Sequence, residues 1–123
     1  MKPSECCMIT TTTDTKENAD IITETLLQKH LVACVQYINI ESSYSWQGKV
    51  VSSSELQLQM KTKTSFFNQI KDEIEELHTY DVPEIVMVPL LDANVSYLKW
   101  IDEETLEKQG SAVKPLSKVP TGL

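Results

Sequence analysis

Two stretches of alternating residues stand back to back in the middle of the chain and limit what it can fold into. Residues 33–46 are rich in Val, Ile, Tyr and Ser, with Ile38 and Ile40 on one face and Asn39 and Glu41 on the other. After the short connection Gln47-Gly48-Lys49, Val50, Leu56, Leu58 and Met60 share one parity, while Ser53, Glu55, Gln57, Gln59 and Lys61 share the other. This is a long hairpin, with a bulge expected at Ser42 and Ser43. Fourteen strand residues at roughly 3.3 Å each span about 46 Å, whereas a compact chain of 123 residues has a radius of gyration of about 14 Å. The hairpin is therefore expected to project past its own domain and pair with a neighbouring copy.

The flanking segments complete a small α+β pattern. Residues 6–13 are short, β-branched or apolar and read as a strand, and Asp14 with Glu17 three positions later marks a helix start. That helix carries Ala19, Ile22 and Leu26 at helical spacing and ends near His30, with Lys29 and His30 in the last turn. Thr64 or Ser65 is expected to cap a second helix, in which Phe67, Ile70, Ile74 and Leu77 step by three, four and three. Residues 84–90 form an apolar stretch expected to be a strand buried on both faces, and residues 96–106 a closing helix. Strand, helix, strand, strand, helix, strand is the split βαβ or ferredoxin-like order, with two helices on one face of an antiparallel sheet. Residues 1–107 form one domain on this reading. Residues 108–123, with Gly110, Pro115, Pro120 and Gly122, form a tail expected to dock on a subunit.

Charge and composition exclude several functions. A formal charge of −7 opposes nucleic acid and favours cations as partners. All eleven basic residues are lysines, so no arginine fork is available to clamp phosphate, as the acylphosphatase use of this strand order requires. Cys6, Cys7 and Cys34 are odd in number and poor disulfide material, and adjacent Cys6 and Cys7 on a strand point to opposite faces, so they cannot chelate one ion together. Cys34, among Val32, Ala33 and Val35, reads as core. No leader-like or membrane-spanning stretch is visible, so the expectation is a soluble, cytoplasmic protein without membrane partners.

Four stretches together resemble the CutA family of divalent-cation-tolerance proteins. They are Leu31-Val32-Ala33-Cys34, Tyr44-Ser45-Trp46-Gln47-Gly48-Lys49, His78-Thr79-Tyr80-Asp81-Val82-Pro83-Glu84 and Tyr97-Leu98-Lys99-Trp100-Ile101, in family order along residues 6–106. The resemblance implies a ferredoxin-like fold, an interlocked homotrimer similar in plan to PII signalling proteins, and binding of a divalent metal ion such as copper or zinc. It implies no organic cofactor and no catalytic activity. Two departures stand out: Thr79 replaces a proline frequent in the family, and Thr11 falls where a copper-binding bacterial relative has cysteine. The family pattern then leaves His78 and Glu84 as metal candidates, with borderline and hard ligand preferences.

Each candidate also has a plainer reading. His78 lies at a helix end, where it can ligate an ion or simply cap, and Glu84 can face a cleft or only water. Tyr44, Trp46, Lys49 and Glu55, with Tyr80 and Trp100, can line an inter-subunit cleft or clasp the next subunit. A small-molecule sensor, or a trimeric scaffold anchoring an unknown protein partner, is the alternative function.

Overall fold

The computed structural model describes residues 1–105; the tail expected over 108–123 and the last residue of the expected closing helix lie outside the described residues. Strand β1 (Cys6–Thr13) buries every side chain except that of Met8, which is half-buried. Helix α1 (Lys16–Gln28), strands β2 (Cys34–Trp46) and β3 (Lys49–Lys63), helix α2 (Phe67–Leu77), strand β4 (Val86–Pro89) and helix α3 (Val95–Glu104) follow. The strands form one antiparallel sheet in the order β2-β3-β1-β4. This is the expected ferredoxin-like α+β architecture.

Local chemistry shifts two helix starts. Thr15, not Asp14, caps α1: it is extended (φ −133°, ψ 151°), and its hydroxyl accepts from the Asn18 N–H at 3.1 Å. The Thr13 hydroxyl donates to the Thr15 carbonyl at 3.0 Å and holds that residue outside the helix. Neither Thr64 nor Ser65 caps α2. A 3-10 turn, Thr64–Phe66, leads into it, Phe66 stands at the N-cap without a side-chain bond, and the Thr64 hydroxyl donates instead to the Ser4 carbonyl. Helix α1 ends as expected near His30, which turns to φ 57° while the Leu31 N–H closes on the Leu26 carbonyl at 3.0 Å.

The main core lies between the sheet and the first two helices. Ile9 of β1 and Leu58 and Met60 of β3 meet Ala19, Ile22 and Leu26 of α1 and Ile70 and Ile74 of α2, all fully buried. Burying each Ile or Leu contributes about 1.5–3 kcal/mol. Cys6 and Ala33 face the other way and are covered by Leu98 and Ile101 of α3. Cys6 and Cys7 thus enter separate cores, as strand alternation requires. Desolvation raises the Cys7 thiol from 9.0 to about 11, against a smaller lowering by the neighbouring Thr64 hydroxyl. A folded-state pKa above the unfolded one stabilises the fold below pH 9.0, and that contribution is lost as pH climbs towards about 11. The thermal midpoint should fall across this window, and Cys7→Ala should make the fall shallower.

Thr11 sits on the same face as Ile9, fully buried, with no partner for its hydroxyl oxygen among the described residues. Thr11→Val preserves the shape and removes the orphaned group, so denaturant unfolding should show a gain of about 1–2 kcal/mol.

Strand β4 corrects the expectation of a strand buried on both faces. Among the described residues it is an edge strand that pairs only with β1, and Val86, Met87 and Val88 are 44%, 39% and 38% exposed. None of its residues joins the main core, which β1 and β3 supply. An apolar stretch becomes buried only where something covers it, and the helices leave this edge open.

The hairpin is long and unbroken. Ser42 and Ser43 pair in register with Ser53 and Ser52, so the expected bulge is absent. Hydroxyl bonds between Ser43 and Ser52 (2.9 Å) and from Ser54 to Glu41 (2.6 Å) tie the two strands at that point. Gln47 and Gly48, at φ 50° and 77°, make the two-residue turn whose twist matches the strands. A Cβ on Gly48 would meet nothing within 4 Å, so Gly48→Ala tests backbone conformation alone. A loss of about 1 kcal/mol in denaturant unfolding is expected. Pairing of β1 with β3 stops at Thr13 and Leu56. From Ile40 and Glu55 out to the turn, β2 and β3 pair only with each other among the described residues, an arm of about 23 Å at 3.3 Å per residue.

Candidate functional site

The link between α2 and β4 crosses the end of β1 and brings its side chains to the hairpin. Helix α2 stops at His78, which is already extended (φ −72°, ψ 145°). The Tyr80 N–H donates to His78 Nδ1 at 3.0 Å, and Nε2 lies 2.8 Å from the Thr12 carbonyl oxygen. Because Nδ1 accepts, the ring proton belongs on Nε2, where it is donated to Thr12. Both nitrogens of a neutral imidazole are therefore engaged. The His78 and Tyr80 rings pack with centroids 4.8 Å apart at 47°.

Tyr80 then reaches over the sheet to Glu55. Its hydroxyl donates to Glu55 Oε2 at 2.6 Å, and desolvation, followed by this carboxylate, drives the phenol well above its ordinary 10.0. Beside it opens a cleft of about 280 Å³ lined by Tyr44, Trp46, Thr79, Tyr80, Asp81 and Val82. The Thr79 hydroxyl contacts Asp14 Oδ1 at 3.4 Å, so a third carboxylate stands behind the wall.

The structure brings together Tyr44, Trp46 and Tyr80, and it attaches Glu55 through the Tyr80 hydroxyl. Lys49 faces Trp46 across the hairpin but does not line the cleft. Trp100 lies elsewhere in the chain, stacked on Tyr97 at 5.7 Å against the core under α3. Cys34 is buried there too, with its sulfur 3.4 Å from the Tyr97 hydroxyl, in agreement with the core reading. Glu84 is exposed. Among the described residues no three His, Cys, Asp or Glu side chains gather as a metal would need, so the described part of one copy does not complete a metal site at His78 or at Glu84. Thr11 faces the helices from within the core and pairs with Leu58, away from the cleft. Asp81 and Val82 are cleft residues that the sequence reading did not single out, and Thr79 figured there only as a departure from the family pattern, although all three lie inside the stretch joining His78 to Glu84.

The sequence and the fold have counterparts among known proteins. The CutA1 divalent ion tolerance protein family matches residues 7–104. The divalent-cation tolerance protein CutA of Pyrococcus horikoshii is 38% identical over 89 residues, covering 72% of this chain and 87% of that protein. Its Thermus thermophilus counterpart is 41% identical over 95 residues, covering 76% and 92%. The solved structure of the periplasmic divalent cation tolerance protein CutA from Archaeoglobus fulgidus superposes with a TM-score of 0.81 at 33% identity, covering 82% of this chain and 99% of that one. CutA1 from Oryza sativa gives 0.81 at 31% identity, covering 85% and 96%. With the family match, the curated relatives and the superposed structures in agreement, the chain belongs to the CutA1 divalent ion tolerance protein family.

Proposed function

We propose that the chain works as a homotrimer that binds a divalent cation, copper or zinc, in a response to metal ions, and that it is not an enzyme. The observation that carries this reading is the arm: seven register pairs of β2 and β3 extend past the rest of the sheet, carrying Tyr44, Trp46 and the largely exposed Val50 away from their own core. Two strands alone are marginal in water, so an arm of this kind gains its stability by packing on another copy. Edge strand β4, with its exposed valines, offers a complementary surface.

Metal binding follows from assembly on this reading. Among the described residues Glu84 has no hydrogen bond or ion pair and is available as a donor, while His78 can join only by releasing Thr12 or Tyr80. Donors from neighbouring copies would complete the set, in keeping with the formal charge of −7. Sedimentation at micromolar concentration should show three copies, and calorimetry with Cu(II), Cu(I) and Zn(II) should show saturable binding to the assembled protein. A stable monomer would overturn the assembly, and flat titrations would overturn the metal reading. The lack of any arginine argues against phosphoryl chemistry, so measurable acyl phosphate hydrolysis would count against the non-enzymatic reading.

Three free, buried thiols suit a reducing compartment, and we assign the protein to the cytoplasm. No helix among the described residues is long and apolar enough to cross a membrane. A relative from Oryza sativa is named chloroplastic and the Archaeoglobus fulgidus protein periplasmic, so fractionation of the source cells is the direct test.

A further inference from the structure

We propose that the cleft beside the hairpin tip binds a small methylated ammonium cation between Tyr44, Trp46 and Tyr80. This site is separate from the metal reading and goes beyond it, because its ligand is held by ring faces and not by coordination.

Aromatic rings form half of the six-residue lining, and within one copy Tyr44 and Trp46 are each 42% exposed, so their rings are not covered by the copy's own core. The charges at the cleft wall are of one sign, Lys49 standing opposite Trp46 across the hairpin but outside the lining. Asp81 lines the cleft, Glu55 receives the Tyr80 hydroxyl, and Asp14 stands behind Thr79. No lysine lines it, the chain has no arginine, and His78 is in its neutral tautomer with both nitrogens engaged. An anion would be repelled, and a neutral apolar molecule would gain nothing from the carboxylates.

A divalent metal is poorly served here, since Asp81 is the only carboxylate in the lining and Glu55 Oε2 is already bonded. A cation with an apolar shell matches both features, because its charge lies over ring faces while its methyl groups exclude water. Tyr80 is prepared for this role. Its backbone is bonded to His78, its ring packs on the imidazole, and its hydroxyl is fixed to Glu55, so little freedom is lost on binding. Hydrogen bonding to a carboxylate also pushes electron density into the phenol ring and strengthens its attraction for a cation. The volume of about 280 Å³ falls just below the range of roughly 300–1,000 Å³ for drug-sized ligands, which favours a headgroup-sized occupant.

The test is an amide chemical-shift titration of the full chain, in its native assembly with EDTA present, using choline and dimethylbutanol, its uncharged carbon isostere. Choline should produce saturable shifts centred on Tyr44, Trp46 and residues 79–82, with Kd on the order of 1 mM, and dimethylbutanol should bind about tenfold more weakly. Trp46→Ala should weaken choline at least about tenfold, whereas Trp46→Phe, which keeps a ring and guards against misfolding, should lose only a few-fold. Absence of saturation by about 50 mM choline, equal binding of the neutral isostere, or unchanged affinity in Trp46→Ala would each overturn the proposal. A cleft filled by a second copy would appear as the first of these results. Because EDTA removes metal, failure of the metal reading leaves this outcome unaffected.

Discussion

Leu58→Ala is expected to lower stability by about 3–4 kcal/mol, measured by urea unfolding at fixed protein concentration. Leu58 lies in β3 with β1 and β2 on either side, opposite Thr11 and Tyr37, and is fully buried against the helices. Its chain neighbours Gln57 and Gln59 turn to the other face, where the amide of Gln59 donates to Gln57 at 3.0 Å. The truncation therefore opens a cavity under α1 and α2 without touching the cleft face. A domain of this size has about 5–15 kcal/mol to lose, so the effect takes a large share of its stability. An unchanged m-value with a lower midpoint would locate the loss in the core. A cost below about 1 kcal/mol would mean that the helices do not pack on β3 as described.

The same residue shows why most of the fold was legible in the sequence. Leu56, Leu58 and Met60 alternate with Glu55, Gln57, Gln59 and Lys61, and Phe67, Ile70 and Ile74 recur at helical spacing, so burial and periodicity agree along these segments. Where they disagree, the reading went astray. Residues 86–89 are apolar yet exposed, because an edge strand shows the composition of an interface without its cover. Thr15 won the cap from Asp14 through a local bond from Thr13 that spacing does not encode.

The site was half legible. Tyr44 and Trp46 share a parity near a tight turn, so their common face could be read from alternation. The bond between Tyr80 and Glu55 spans 25 positions and depends on a link with no periodicity of its own. The engagement of both His78 nitrogens, which decides what that residue can do, arises from backbone groups at Thr12 and Tyr80 that carry no sequence signature at all.

His78→Ala is accordingly expected to cost about 2–4 kcal/mol, because two part-buried backbone groups lose their partners at about 1–2 kcal/mol each. Two further variants separate the bonds. His78→Gln can restore a donor towards Thr12, and His78→Asn an acceptor for Tyr80, so each should recover about half of the loss. Hydrogen exchange at the Tyr80 amide should accelerate in His78→Ala and His78→Gln but remain protected in His78→Asn. Zinc provides the decisive comparison, since an ion bound only to the native state at 100 times its Kd adds about 2.7 kcal/mol of stability. If His78 chiefly holds the cleft loop, that increment survives in His78→Gln and disappears in Glu84→Gln. Its disappearance from every His78 variant, with Glu84→Gln unaffected, would mean that the imidazole leaves the backbone to ligate the ion.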